Sequence, residues 1–463
     1  MVAGYERFLK SKRVATREYG FQVSVSDLNP RLKEWQKLSV QWALRRGRAA
    51  FFQDCGLGKT FQQLVWAEQV HKRTGGPILL LCPVAVAEQT KREHSKFQVD
   101  CEAAVVADQS EVIDGINITN YEKLHHFKPE IFAGVVLDES SILKSYAGKT
   151  KRQLCEMFRN TDFRLACTAT PAPNDHMELG NHADFLGIMP SNEMLARWFI
   201  NDTMKCGGYR LTGHGQDDFW RWVCSWAVAI SKPSDIGFSD DGYDLPGLNV
   251  IEHIVESDAP DGFLFSSGRS VSATEVHTEK RAALEAKAKV VADLVQAEPD
   301  EAWMIWVDTN YEADAVRKLL PGAVEVRGSD SEKVKAERLL GFTEGRFKWL
   351  ITKPECGGFG MNFQHCRRTT YFPGFSFERW YQSIRRLWRF GQKSEVDVHF
   401  VMGDNEESVA DSLRSKSEDH MKIVGEMSRR MKDGMREELG GRKILRTDPV
   451  RSVPVPEWLN TRG

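Results

Sequence analysis

Ala49-Ala50-Phe51-Phe52-Gln53-Asp54-Cys55-Gly56-Leu57-Gly58-Lys59-Thr60 is the stretch from which this chain is best read. A short apolar run of strand length enters a glycine-rich turn, and FQQLVWAEQVHKR (61–73) then has the character of a helix. Glycines let backbone N–H groups approach an anion with no Cβ in the way, and the start of a helix presents such groups together. Lys59 is the residue type that reaches β- and γ-phosphates, and the Thr60 hydroxyl suits Mg²⁺. The full GxxxxGK[ST] pattern is not met, because Gln53 stands where its first glycine belongs. Taken alone, the stretch is also compatible with an ordinary glycine-rich turn before a helix.

Working outward, Leu32, Trp35, Leu38 and Trp42 recur at helical spacing upstream. Downstream, PILLLCP (77–83) is a continuous apolar run closed by Pro83, as in a buried parallel strand. INITNYEKL (116–124), GVVLDES (134–140) and FRLACTATP (163–171) repeat the pattern. Strands alternating with helices predict a parallel sheet covered on both faces. Residues 176–245 break the rhythm with a Trp-, Gly- and Asp-rich composition and read as an insertion plus linker. A second α/β block follows in AWMIWVDT (302–309), AVEVRG (323–328), FKWLITKP (347–354), RRTTYFP (367–373) and VDVHFVMG (396–403). The expected domains are an extension (1–30), a first lobe (31–175), the insertion (176–245), a second lobe (246–403) and a helical tail (404–463).

Val135-Val136-Leu137-Asp138-Glu139 ends one buried strand on two carboxylates. Mg²⁺ takes hard oxygens, and only one or two of them from protein, so Asp138 suits the ion. Glu139 suits the polarising of an attacking water. Two solvated acids at a strand end are common. Ligands of open α/β sheets nevertheless gather at the carboxyl ends of strands, so a phosphate loop and an acidic strand end in one sheet are far more specific together.

The 463 residues are 41% hydrophobic and 28% charged, an ordinary globular balance with room for sizeable cores. The net charge of -2 means that a nucleic-acid partner would have to be met by local basic clusters, such as Lys91-Arg92 or 385–389. Nine scattered cysteines with no CxxC pair argue against a zinc site or a disulfide framework. The start, MVAGYERFLKSKR, lacks the apolar core of a secretory signal, and no apolar run is long enough to span a bilayer. The expectation is a soluble protein of a reducing compartment.

In this order the motifs resemble helicase superfamily 2, and within it the Swi/Snf-type ATPases, over roughly residues 31–402. Leu32-Lys33-Glu34-Trp35-Gln36 is similar to the adenine-reading segment, and DCGLGKTFQ to motif I, where an acidic residue before the glycines is usual. LLLCPVAVAEQTKRE looks like motif Ia, ITNYEKL like motif Ib, LDESSILKS like the DEAH-type motif II and RLACTATPAPND like motif III. CGGFGMN (356–362) and QSIRRLWRFGQ (382–392) resemble motifs V and VI. The sequence departs at Ser140-Ser141, where a small residue and His are usual, and at Trp388, where His is common in motif VI.

The resemblance implies two tandem RecA-like lobes of parallel sheets flanked by helices, with an ATP site in the cleft between them. It implies ATP contacts at Gln36, Asp54, Gly56, Leu57, Gly58, Lys59, Thr60, Gly360 and Asn362, with Mg²⁺ on Thr60 and Asp138. Arg386 and Arg389, three apart on an expected helix, would share a face. Guanidinium forks there would stabilise the charge spread over a loose phosphoryl-transfer transition state. Ser141, Lys144, Thr168, Thr170, Gln382 and Gln392 would couple the ATP and nucleic-acid sites, Ser140 or Ser141 replacing the usual His. Pro83, Thr119, Asn120, Tyr121, Thr352 and Lys353 would contact a nucleic-acid backbone without reading sequence. Trp198, Trp220, Trp222 and Trp226 are suited either to stacking on bases or, the favoured reading, to packing a small cluster.

The resulting expectation is a nucleic-acid-stimulated ATPase that translocates on double-stranded DNA. The short insertion and the lack of a nucleosome-reading module fit a stand-alone bacterial or phage type in the cytoplasm. A further activity, such as a nuclease, would come from a partner subunit. The rival readings are a strand-separating DNA or RNA helicase, a nucleotide-dependent DNA-binding switch and a P-loop kinase. The last has no use for motif VI.

Overall fold

The computed structural model describes residues 18–145, 148–202, 208–256, 283–357 and 362–439. The chain splits into two compact units, Met1–Ser239 with Lys422–Gly463, and Asp240–Met421. In the first unit lie β1 (Arg48–Gln53), β2 (Ile78–Cys82), β3 (Ala103–Val105), β4 (Ile116–Asn120), β5 (Gly134–Asp138) and β6 (Phe163–Thr168). An antiparallel hairpin follows, β7 (Phe199–Asp202) with β8 (Gly208–Leu211), and then β9 (Ala227–Ile230). Seven of these form one parallel sheet in the order β3-β4-β2-β5-β6-β1-β9. β1, β2 and β6 are buried along their whole length, which β2 meets with an unbroken apolar run, while β1 and β6 also bury Arg48, Gln53, Arg164 and Thr168.

The segment expected to be an insertion and linker thus contributes a strand to the first sheet. Ala50 N–H bonds to Trp226 O at 2.9 Å, and Asp54 N–H to Ile230 O at 3.0 Å, so β9 flanks the strand that feeds the glycine-rich turn. Trp198, Trp220, Trp222 and Trp226 are all buried. Their rings pack with Phe219, Trp198 to Trp222 at 4.8 Å and Trp222 to Trp226 at 5.4 Å between centroids. The aromatic cluster is therefore core and not a stacking platform.

The second unit holds β10 (Leu248–Val255), β11 (Trp303–Trp306), β12 (Val324–Val326), β13 (Trp349–Thr352), β14 (Arg368–Tyr371) and β15 (Val396–Gly403). Their order is β10-β15-β14-β11-β13-β12, again all parallel. Met304 and Trp306 pack into one core with Phe342 and Leu350, whereas Trp303, Ile305 and Val307 pack into another with Val291 and Val316. Alternating side chains reach opposite faces, and both faces are covered. The α/β class with parallel, helix-flanked sheets in tandem is as expected. The last helix, Glu407–Leu439, is shared: its residues from Lys422 onward belong to the first unit.

The second unit also buries a charge network. Lys287 Nζ lies 2.8 Å from Glu406 Oε2 and 3.5 Å from Glu312 Oε1, all three side chains being out of solvent. Glu312 accepts the Asp308 and Thr309 N–H groups, and Glu406 the Gly403 N–H. Lys287→Met leaves two carboxylates buried without counter-charge, and is expected to lower stability by about 3–5 kcal/mol. Equilibrium urea unfolding of the full chain measures this, and an unchanged midpoint would contradict it.

Candidate functional site

The site starts where β1 ends. Gly56 and Gly58 have φ of 88° and 74°, in the left-handed region, and let the turn double back into helix α1 (Lys59–Thr74). A Cβ on Gly58 would sit 2.7 Å from Gln36 Nε2, so glycine is also required by close approach. Gln36 staples the turn: its Nε2 donates to Leu57 O at 2.9 Å while its Oε1 accepts Lys33 N–H at 2.9 Å. Gln62 Nε2 also donates to Leu57 O, at 3.2 Å. Asp54 Oδ1 accepts Cys55 N–H at 2.6 Å, and the Lys59 ammonium donates to Gln53 O at 2.8 Å and Asp54 O at 3.1 Å. Thr60 follows in the first turn of α1. A rigid loop with a lysine and a helix start at its mouth is suited to phosphate.

The acidic strand end lies beside it. Strand β6 pairs with β1 on one side and β5 on the other, and Cys167 is in register with both Phe51 and Asp138. Gln63, one turn along α1 from Thr60, donates through Nε2 to Asp138 Oδ1 at 2.8 Å. Tyr121 Oη donates to the Asp138 carbonyl at 2.7 Å. Glu139 has φ of 58°. Thr168 Oγ1 donates to its Oε1 at 2.7 Å and accepts the Thr170 N–H at 3.0 Å, and the Ser141 hydroxyl stands 3.4 Å from the same oxygen. Thr168, at the end of β6, is thus the closer donor to Glu139, and Ser141 the weaker one. Asp138 and the Thr60 hydroxyl are hard oxygens, a donor chemistry that fits Mg²⁺.

The remaining expected residues are placed unevenly. Asn120 is half-buried and caps the following turn, accepting the Glu122 and Lys123 N–H groups at 3.1 Å. Pro83 is half-buried, whereas Thr119 is buried at 2% exposure. The Tyr121 hydroxyl is turned inward, its ionisation pushed well above the ordinary range by burial and by Asp138. Thr119 and the Tyr121 hydroxyl are therefore turned inward, while Tyr121 as a whole stays half-buried. The apolar environment of β4 and the Asp138 carbonyl draw them in. Lys144 is exposed, and its carbonyl accepts Asn181 Nδ2 at 3.1 Å.

In the second unit, Thr352 is buried and donates to Val326 O at 3.2 Å, so its hydroxyl too is turned inward, while Lys353 after it is half-exposed. Gly360 lies outside the described residues. Gln382 and Arg386 are half-buried on helix α2 (Phe377–Leu387). Arg389 is not on that helix, contrary to expectation. The helix stops at Leu387, and the Trp388 indole N–H bonds to Pro246 O at 2.7 Å. Gln392 then ties off the turn, donating to Cys366 O at 3.2 Å and accepting the Lys393 N–H at 2.9 Å. Arg386 and Arg389 consequently do not share a helix face. Arg389 Nη1 instead bonds to Asn362 Oδ1, which joins two expected ATP-site residues. The buried arginine of the cluster is Arg385, between the rings of Tyr381 and Trp388 at 5.9 and 4.8 Å. Sequence reasoning missed Gln63, for which the only signal was a polar residue one helical turn after Thr60.

Known proteins resemble this chain to different extents. Residues 35–208 match the family model of the SNF2-related domain. Helicase SWR1 of Candida albicans is 27% identical over 233 residues, 45% of this chain and 13% of that protein. Helicase domino of Drosophila melanogaster is 25% identical over 194 residues, 37% of this chain and 6% of that protein. The chain therefore spans only a small fraction of the length of the curated relatives it matches. Those relatives lend no support to a bacterial or phage setting. A solved structure described as the Sulfolobus solfataricus SWI2/SNF2 ATPase core in complex with dsDNA is 18% identical, with a TM-score of 0.43, covering 92% of this chain and 100% of that chain. Among the described residues, no helix is long and apolar enough to cross a membrane.

Proposed function

We propose that this chain, whose residues 35–208 match the SNF2-related domain, is a Swi/Snf-type ATPase of helicase superfamily 2 and an ATP-driven motor that translocates along duplex DNA. The observation that supports this most is the convergence of three neighbouring strand ends in one parallel sheet: the Lys59 loop after β1, Asp138-Glu139 after β5 and Thr168 at the end of β6.

Each group has a role in the cycle. The loop N–H groups and Lys59 bind the β- and γ-phosphates. Thr60 and Asp138 would hold Mg²⁺, which would supply charge neutralisation at the phosphates. Glu139, kept in place by Thr168, orients the attacking water and takes its proton. Arg386 and Arg389 stabilise charge on the transferred phosphoryl group. Asn120, Pro83 and Lys353 contact the DNA backbone without reading sequence, as a motor requires. A change of grip between nucleotide states then moves the chain, since only differential affinity for two states drives such a change.

Glu139→Gln is expected to retain nucleotide binding and to slow hydrolysis by about 10²–10⁴-fold, the range for a lost general base. Single-turnover hydrolysis beside equilibrium nucleotide binding checks it, and loss of binding instead would give Glu139 a structural or metal-holding role. Translocation itself is tested by displacement of a third strand from a triplex on duplex DNA. ATP-dependent displacement without separation of the duplex is expected. Duplex unwinding would favour the strand-separating reading, and no displacement the binding-switch reading.

A further inference from the structure

We propose that Gln63 is a positioning residue that presents Asp138 to a divalent cation through one carboxylate oxygen, and so sets the site's preference for Mg²⁺ over larger cations; this rests on the ATP-site reading above.

Gln63 is fully buried on α1, and its Nε2 donates to Asp138 Oδ1 at 2.8 Å. An ionised carboxylate only accepts hydrogen bonds, so it fixes which end of the amide faces it. The other end, Oε1, is buried with no hydrogen-bond partner among the described residues. A buried acceptor left unsatisfied costs stability, and an apolar side chain of the same shape would avoid that cost. The amide is therefore poorly explained as core packing alone: it bonds the acid, and it also lies in hydrogen-bond reach of the buried Cys167 thiol.

The chemistry of that contact is selective. The amide is neutral, so it orients the carboxylate without cancelling its charge, as a lysine or arginine would. Its hydrogen bond takes one of the two lone pairs of Oδ1, which makes that oxygen the weaker ligand and disfavours a cation that chelates both oxygens. Mg²⁺ is small, demands near-octahedral geometry and is satisfied by a single carboxylate oxygen. Ca²⁺ accepts bidentate carboxylates and tolerates irregular shells. The backbone is held as well, since Tyr121 Oη donates to the Asp138 carbonyl at 2.7 Å.

The test uses a fluorescent ATP analogue bound by the full chain and titrated with Mg²⁺ and, separately, Ca²⁺. Gln63→Leu removes the amide at nearly constant volume, and Gln63→Met does so without branching should the first variant fold poorly. Affinity in EDTA reports that the phosphate loop is intact in each. The expected result is a rise of about tenfold or more in the Mg²⁺ concentration for half-maximal effect, the usual consequence of losing a partner behind a metal ligand. Ca²⁺ should be affected less, so the Mg²⁺/Ca²⁺ preference falls. Folded variants whose half-saturation and cation preference stay within about twofold of wild type overturn the inference alone, being outside that usual loss. A wild-type chain that binds the analogue with no cation dependence overturns the ATP-site reading together with it.

Discussion

Arg389→Ala is expected to cut DNA-stimulated ATP hydrolysis by roughly three to five orders of magnitude, the effect of losing an arginine finger, while nucleotide affinity stays near that of the wild type. The reason is that a finger meets charge that develops only in the transition state, so its removal raises the barrier without weakening the ground-state complex. Arg389 is suited to this because it follows the end of α2, carries a planar guanidinium and bonds to the side chain of Asn362, another expected ATP-site residue. Arg385, four residues earlier, is a useful contrast. It is buried between two aromatic rings, so Arg385→Ala should show its effect in stability. Lys at 389 should rescue poorly, because a point charge does not reproduce the guanidinium fork. Steady-state turnover with saturating duplex DNA, alongside equilibrium nucleotide binding, measures both quantities. Full stimulated turnover by Arg389→Ala would remove Arg389 from the proposed catalytic groups.

Lys59→Ala is expected to reduce turnover to background, a loss of at least about 10²–10³-fold on the scale of a single lost charge-stabilising donor. Unlike Arg389, Lys59 meets phosphates in the ground state too, so nucleotide affinity should fall as well. The fold should survive. The ammonium is half-exposed and its two protein contacts are carbonyls of its own loop, Gln53 O and Asp54 O, whereas the turn is held independently by Gln36 and Gln62 on Leu57 O. Circular dichroism with nucleotide binding separates the two effects. Near-normal hydrolysis in a folded Lys59→Ala chain would move the ATP site elsewhere.

Local patterns carried much of this architecture. The runs that became β2, β5, β6 and β11 are legible because a parallel strand buried on both faces is apolar at most positions. Strand β9 was not, since Ala227–Ile230 is four residues long between a tryptophan cluster and Pro233, and its place is set by pairing with β1, far away in sequence. The eight-residue β10 was hidden for a related reason: it is an edge strand, and Val250, Ile251 and Ile254 are exposed, so no apolar run announces it. Site residues divide in the same way. The glycine-rich turn and the Asp138-Glu139 pair are contiguous motifs. The inward turn of Tyr121, the Gln63–Asp138 bond and the end of α2 at Leu387 all depend on partners distant in the chain, the last on Pro246.

The central claim is that ATP hydrolysis by this chain is coupled to DNA. Steady-state ATP turnover of the full chain, measured with no nucleic acid, with duplex DNA, with single-stranded DNA and with RNA, tests it most directly. The account predicts low basal turnover and the strongest stimulation by duplex DNA, with Glu139→Gln and Arg389→Ala flat under all four conditions. Turnover that is the same whether or not any nucleic acid is present would contradict it.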